Sequence, residues 1–327
     1  MNINLKNKKI LVTGGAGFIG SNLCEVLIEK GNEVVCLDNL ITGKKDNIKK
    51  LINNTNFTFI EGDIRNLQDC LNATEGADYV LHQAALGSVP RSIKDPITTN
   101  NINVNGFLNM LIASRDCKVK RFIYAGSSST YGDSESLPKF EDDIGCPLSP
   151  YAITKYVNEL YANIFSKTYG LETIGLRYFN VFGRKQDPNG VYAAVIPKFV
   201  KQLMNAEPPV INGDGNYSRD FTYIDNVIQA NLLSIVTKNP NAINNVYNIA
   251  CGNRNTLNDL VKFLKQYLSE YKSDIKNIKV IHGPKRPGDI PHSQASISKA
   301  KRLLNYEPEF SFQNGLKEAV KWYYDNL

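Results

Sequence analysis

The sequence predicts an α/β protein: a doubly wound parallel sheet carrying a smaller C-terminal α/β domain. Three observations predict it. Short apolar runs alternate with longer helical patterns through the first half of the 327 residues; a glycine-rich turn joins the first apolar run to the first helical pattern; and the alternation breaks into loops after Gly183.

In order, "KKILVTGG" (8–15) reads as a buried strand and 17–30 as a helix. "NEVVCLDN" (32–39), "FTFIEGDI" (57–64) and "ADYVLHQAA" (77–85) read as the second, third and fourth strands. Helical patterns then frame "VKRFIYAGSSS" (119–129) and "LETIGLRYFNVFG" (171–183), the fifth and sixth. Strands interleaved with helices imply a parallel sheet covered on both faces. Beyond Gly183 come loops such as "GRKQDPNG" and "NGDGNYSRDF", but "YIDNVIQANLLSIV" and "NNVYNIACG" read as a helix and a strand returning to the sheet. The expected division is therefore 1–180 for the sheet domain, with 222–250 returning to it, and a discontinuous second domain in 181–327, the two enclosing a cleft.

Composition excludes several classes. Hydrophobic content of 42% and charged content of 21% describe an ordinary globular chain. No apolar run approaches the roughly 20 residues that span a bilayer, and Lys6, Lys8 and Lys9 precede only Ile10-Leu11-Val12, too short for a signal peptide core. A cytoplasmic location with no membrane partner is expected. The six scattered cysteines read as reduced core thiols, and the three histidines have no partner at metal-ligand spacing, so no protein-held metal is expected. A net charge of +6 without a basic tail suits a small anionic ligand and does not call for nucleic acid.

"TGGAGFIGS" places Gly14, Gly17 and Gly20 after a strand and at the opening of a helix. Glycines there let backbone approach a pyrophosphate, and the helix N-terminus supplies unpaired N–H groups. The second strand ends in Asp38, whose carboxylate suits the hydroxyls of an adenosine ribose and repels a 2′-phosphate, favouring NAD over NADP. Asp63 and Ile64 suit the adenine, and Gln83, Ala84 and Ala85 leave room for a cofactor to cross the fourth strand end.

"YAGSSSTYG" (124–132) brings three hydroxyls to the carboxyl end of the fifth strand, the edge where such sheets bind ligands. In "SPYAITKYVNEL", Ser149-Pro150 is a helix start signal, and Tyr151 and Lys155, at i and i+4, share a face. A tyrosine with an unperturbed pKa of about 10 is a poor base at neutral pH. A lysine cation and an oxidised nicotinamide both stabilise its phenolate, which makes the pair a tuned general base. Tyr156, Tyr161 and Leu160 read as packing residues, Ser129 as satisfying backbone in a turn, and His82 as a core histidine. Arg219 has a structural alternative in pairing with Asp220 or Asp225.

The glycine motif, the serine-rich strand end and Tyr-x-x-x-Lys together resemble the extended short-chain dehydrogenase/reductases, whose Rossmann domain binds NAD. Within them the chain resembles the nucleotide-sugar 4-epimerases, and most of all the bacterial UDP-N-acetylglucosamine 4-epimerases. "HQAALGSVPRS", "LRYFNVFGRKQDPNG", "AAVIPKF" and "GDGNYSRDFTYIDNV" carry this resemblance over essentially the whole chain. It implies that Tyr151 takes the proton of the sugar 4-hydroxyl while the C4 hydride passes to NAD. Lys155 lowers the tyrosine pKa and holds the nicotinamide ribose, Ser127 bonds the 4-oxygen and Ser128 assists it. To the cofactor contacts it adds Phe18, Ile19, Asn39, Asn103 and Tyr178.

For the UDP-sugar it implies Asn180, Arg219, Arg286 and Asp289, with Val195, Val210 and Asn212 at the uracil end and Ser88 and Arg91 on the sugar side. Ser293 stands where glucose-only epimerases tend to carry a bulky tyrosine, and Ala194 agrees, which leaves room for an N-acetyl group. The resemblance further implies a homodimer pairing the helix of "SPYAITKYVNEL" with residues near 104–115. The rivals are 4,6-dehydratases, glucuronate decarboxylases and an NAD-binding regulatory protein. The dehydratases carry Asp-Glu after the catalytic hydroxyl residue, where this chain has Ser128-Ser129, and the decarboxylases show a Glu in that strand end.

Overall fold

A computed structural model of the protein describes residues 3–190, 193–285 and 290–327. The main sheet contains β1 (Lys9–Thr13), β2 (Glu33–Asp38), β3 (Phe57–Glu61), β4 (Tyr79–His82), β5 (Arg121–Ser127), β6 (Glu172–Tyr178) and β7 (Asn245–Ile249). All its ladders are parallel, in the order β7-β6-β5-β4-β1-β2-β3. Every carboxyl end therefore lies along one edge, and the order reverses between β1 and β4, where such sheets open a crevice.

The longer helices are α1 (Phe18–Glu29), α2 (Leu67–Thr74), α3 (Gly106–Asp116), α4 (Pro150–Tyr169), α5 (Val195–Met204), α6 (Ile224–Val236), α7 (Leu257–Leu268) and α8 (Phe312–Asn326). Successive strand residues face opposite ways, so Leu11, Val35, Val80 and Phe122 pack under α2, α3 and α4. Ile10, Val12, Val34, Leu81 and Ile123 pack under α1 and α6. That second core continues through Phe199, Leu260, Leu264, Leu316 and Val320, which seats α5, α7 and α8 against the sheet domain.

Strands stop one to three residues short of their apolar runs. Gly14-Gly15, Asp63 and Gln83-Ala84-Ala85 lie beyond the strand ends, at the carboxyl edge of the sheet. The sixth run is two elements: β6 ends at Tyr178, Asn180 bends the chain at φ +37, and Val181–Phe182 pairs with Thr222–Tyr223. After the returning α6, β7 pairs with β6 from Asn245 opposite Ile174 to Ile249 opposite Tyr178.

Two buried arginines set this packing. Arg121 Nη1 donates to the carbonyls of Ser234, Ile235 and Thr237 at 2.6, 3.0 and 3.2 Å, capping the C-terminus of α6, while its Nε bonds Glu172 at 2.8 Å. Arg177 on β6 forms a two-pronged pair with Glu159 on α4, at 2.8 and 2.7 Å. Its Nη1 also donates to Tyr131 Oη at 3.0 Å and to the Glu141 carbonyl at 2.8 Å.

Helix α4 starts where its sequence signals: Ser149 Oγ accepts from the Ala152 N–H at 3.1 Å and Pro150 follows; Gly170 closes the helix at φ +71. Removing one partner of a buried pair strands the other charge. Glu159→Ala and Arg177→Met are each expected to lower unfolding stability by about 3–5 kcal/mol, with the double variant losing much less than the sum. Urea unfolding checks this, and additive losses would count against the pair.

Candidate active site

Gly14 follows β1 at φ +67, and a Cβ built on it would lie 2.7 Å from the Ala84 nitrogen; one on Gly20 would lie 2.2 Å from the Gly14 carbonyl oxygen. Glycine is therefore required where the loop, β4 and α1 converge. Gly17 caps α1 with no side chain bonded to the first-turn N–H groups, which leaves them for an anion. Beside this turn lies a cavity of about 320 Å³. Gly14, Gly17, Phe18, Ile19 and Gly20 line one side, Asp38, Asn39 and Ile64 another, and Gln83, Ala84 and Ala85 the floor. Leu37, Ile41, Thr42, Gly62, Leu86, Gly87 and Ile102, which the sequence reading missed, complete it.

Asp38 Oδ2 accepts from Ala16 N–H at 3.0 Å and Oδ1 from Leu40 N–H at 2.8 Å. Burial raises its pKa, and those two bonds oppose the rise. A glycine-shaped anion cradle ending in a carboxylate at the ribose position fits a dinucleotide without a 2′-phosphate.

Asp63 and Asn103, two further expected cofactor contacts, also hold protein groups. The Asp63 carboxylate accepts from Arg65 Nη2 at 2.6 Å and Asn39 Nδ2 at 2.9 Å; the Arg65 bonds above all hold its pKa at about 2. Asn103 is buried, its amide accepting from Leu86 N–H at 2.7 Å and donating to the Leu86 carbonyl at 3.2 Å and Thr154 Oγ1 at 3.1 Å. These bonds occupy the Asn103 side chain in shaping the loop after β4.

Tyr178 Oη donates to Gln83 Oε1 at 3.2 Å and accepts from Asn231 Nδ2 at 2.9 Å, while Gln83 Nε2 donates to Asn231 Oδ1 at 3.2 Å. Asn231 escaped the sequence reading; its signal is a polar residue inside the apolar α6. His82 shares a 2.9 Å bond with Thr13 Oγ1, and burial pushes it down to about 3, so it is a neutral core residue as expected.

A larger cleft of about 830 Å³ begins at Ser88, the neighbour of the cavity-lining Gly87. It brings together Ser88, Ser127, Ser128, Tyr151, Asn180, Arg219 and Ser293, with Val89, Pro90, Ile93, Leu148 and Ile290 as its apolar wall. Arg91 lies in the same short helix as Val89 and Pro90, and its N–H donates to Ser88 Oγ at 3.3 Å. Ala194 caps α5, Val195 begins it, and Val210 and Asn212 are exposed on a strand paired with Ile281–Gly283; these four lie outside the cleft lining. Arg286 and Asp289 lie outside the described residues.

Lys155 is buried, its Nζ donating to the Ala125 carbonyl at 2.9 Å and standing 6.0 Å from the Tyr151 ring centre. Burial pushes it down to about 8, with Glu159 pulling the other way. Desolvation raises Tyr151, and the Ser127 hydroxyl offsets part of the rise. In the protein alone burial thus outweighs the lowering expected of Lys155. Ser129 is not the turn filler expected: its hydroxyl donates to Ser127 Oγ at 2.9 Å and its N–H to the same oxygen at 3.2 Å. Ser128 points to the cleft without that bond. Neither suggested partner of Arg219 pairs with it, since Asp225 holds Arg184 at 2.6 Å and Asp220 accepts backbone N–H groups; Arg219 Nη1 donates to the carbonyls of Ser218 and Pro291 at 2.9 and 3.2 Å.

Residues 10–250 match the model of the NAD dependent epimerase/dehydratase family. The chain belongs to that family. Its cofactor is NAD, which the Gly14–Gly20 cradle and Asp38 fit. Among solved structures it is similar to a UDP-N-acetylglucosamine 4-epimerase from Methanobrevibacter ruminantium in complex with UDP-N-acetylmuramic acid: 40% identity over 99% of this chain and 100% of that one, TM-score 0.92. It is also similar to a Thermotoga maritima UDP-glucose 4-epimerase with UDP-glucose, at 37% identity over 97% and 99% of the two chains with a TM-score of 0.89. A Bacillus cereus UDP-glucuronic acid 4-epimerase in complex with UDP-glucuronic acid and NAD matches at 33% identity over 97% and 99%, TM-score 0.87. No helix among the described residues is long and apolar enough to cross a membrane.

Proposed function

We propose that the protein is a UDP-sugar 4-epimerase whose preferred pair is UDP-N-acetylglucosamine and UDP-N-acetylgalactosamine, with UDP-glucose and UDP-galactose fitting the same cleft. The observation that carries this reading is one cleft whose lining holds Tyr151 and Ser127 together with Asn180, Arg219 and the small Ser293. NAD bound against the glycine turn supplies the acceptor for the sugar C4 hydride and its return to the opposite face.

Tyr151 takes the 4-hydroxyl proton. Because desolvation alone holds its pKa up, it becomes a competent base only with positive charge beside it, which the Lys155 ammonium and the oxidised nicotinamide ring supply together. Ser127 Oγ already accepts two bonds from Ser129, which leaves its own proton to give: toward Tyr151 in the protein alone, and to the sugar 4-oxygen with substrate bound, where it stabilises that oxygen as a ketone. The 4-keto sugar turns within the cleft, and Tyr151 returns the proton. Arg219 holds diphosphate oxygens and Asn180 the adjoining sugar; Arg286 and Asp289 are assigned to phosphate and uridine ribose. The absence of an acid–base pair at Ser128-Ser129 favours epimerisation over dehydration.

The support for an N-acetylated substrate is the size of Ser293, half-buried on the cleft wall, together with the likeness to a UDP-N-acetylglucosamine 4-epimerase. We also propose a homodimer. Ile153, Leu160 and Ile164 expose about half their surface (52%, 48% and 54%) along one face of α4, beside Ile97 at 74%. A second copy of the same face buries this stripe.

Incubation with UDP-GlcNAc, UDP-Glc and UDP-GlcNAcA without added NAD, with product sugars resolved by chromatography, tests the activity; no epimerised product from any of them removes the proposal. Tyr151→Phe is expected to lower kcat by about 10²–10⁴-fold while UDP-sugar binding persists, and unchanged turnover removes Tyr151 from the mechanism. Ser293→Tyr is expected to cost about 1–3 kcal/mol, roughly 5- to 150-fold, on UDP-GlcNAc and far less on UDP-glucose; equal losses sink the pocket argument. Leu160→Glu with Ile164→Glu is expected to convert a sedimenting dimer into a monomer, and a wild-type monomer at micromolar concentration overturns the dimer.

A further inference from the structure

Asp220 follows Arg219 directly and is completely buried. Its Oδ1 accepts from the Cys251 N–H at 3.0 Å, and its Oδ2 from the N–H groups of Gly252 at 3.0 Å and Ala295 at 3.3 Å. Its backbone carbonyl accepts from Asn180 Nδ2 at 3.1 Å. One residue thus meets three separate stretches of chain: the bend after β6, the turn after β7 and the 290–295 segment.

The neighbouring backbone reinforces the junction. Ser218 N–H donates to the Pro291 carbonyl at 3.0 Å and Ser293 N–H to the Ser218 carbonyl at 3.1 Å. Gln294 Nε2 donates to the Gly252 carbonyl at 2.9 Å, and Arg219 pairs with Asn255. The cleft residues Asn180, Arg219 and Ser293 all hang from this junction, whereas Tyr151, Lys155 and the glycine turn belong to other elements.

We propose that Asp220 is a positioning residue for the nucleotide half of the cleft: its carboxylate clamps the turn after β7 and the 290–295 segment onto the strand carrying Arg219, so that Arg219, Asn180 and Ser293 meet the UDP-sugar as one unit. The inference rests on the UDP-sugar reading above. An ionised carboxylate only accepts hydrogen bonds, which suits three backbone N–H groups, while the protonated acid turns one oxygen into a donor and leaves an N–H unpaired. Burial pushes Asp220 up to about 7, with the N–H bonds pulling it down. The clamp is therefore whole above that pH and weakened below it. The other titratable groups around it, among the described residues, are the Cys251 thiol, pushed up to about 12 by burial, and Tyr306, held well above its usual range. His292 shares a 2.9 Å bond with Ser218 Oγ, and the Arg219 cation lies next in the chain.

Steady-state kinetics with a UDP-hexose from pH 6 to 8.5 on wild type, Asp220→Asn and His292→Gln test the clamp; the substrate's diphosphate diester does not titrate in that window. Asp220→Asn is expected to raise KM about tenfold with kcat within about twofold and bound NAD retained. Wild-type KM is expected to climb as the pH falls below about 7, to do the same in His292→Gln, and to be flat in Asp220→Asn. A lowered kcat with unchanged KM, a pH dependence that survives in Asp220→Asn, or one that vanishes in His292→Gln overturns the proposal. Should Asp220→Asn fail to fold, a pH-independent KM in wild type still overturns it. A wild type that neither binds nor turns over any UDP-hexose fails the underlying reading instead.

Discussion

The buried pair between Arg177 and Glu159 decides where α4 lies on the sheet, and through α4 it decides where Tyr151 and Lys155 stand. Each side chain is almost wholly removed from water, so neither charge is tolerated without the other. The guanidinium is also held by Tyr131 Oη and the Glu141 carbonyl. Tyr131 in turn donates to Asn248 Oδ1 at 2.6 Å, and Asn248 N–H donates to Glu141 Oε1 at 3.0 Å. This network ties β6, α4, the chain after β5 and the returning β7 into one arrangement. Lys155 sits one turn before Glu159, and its Nζ reaches the Ala125 carbonyl only in that arrangement.

Burial then makes the chemistry conditional. It raises Tyr151 and lowers Lys155, so water-free protein resists both charges that a phenolate–ammonium pair requires. Glu159 holds Lys155 against this loss, and Ser127 does the same for Tyr151. In the reading proposed above, a further positive charge in the adjoining cavity would favour the Tyr151 phenolate.

Much of this was legible in the chain. Gly14 and Asp38 carry local necessities, a left-handed turn and a carboxylate at a strand end, and both stand where the pattern placed them. Ser149 and Pro150 announce the start of α4 because caps answer to nearby backbone alone. The protein partners of Asp63, Asn103 and Ser129 were not legible. Their side chains choose partners by distance in space: Arg65 and Asn39 for the first, the Leu86 backbone and Thr154 for the second, Ser127 for the third. Asn231 and Asp220 were missed for the same reason, since their partners lie up to 148 and 75 residues away in sequence.

By itself the sequence determined the parallel sheet, the dinucleotide turn, the helix bearing Tyr151 and Lys155, and the family to which these motifs point. Those follow from periodicity, steric limits on φ and the few residues that can cap or turn a chain. Only the tertiary structure decided that Arg219, Asn180 and Ser293 share one junction, that Ser127 is left as a donor, and that Tyr151 is a weaker acid in the protein than in water. Each of these depends on which groups exclude water from which others, a property of distances between remote segments that no local pattern encodes.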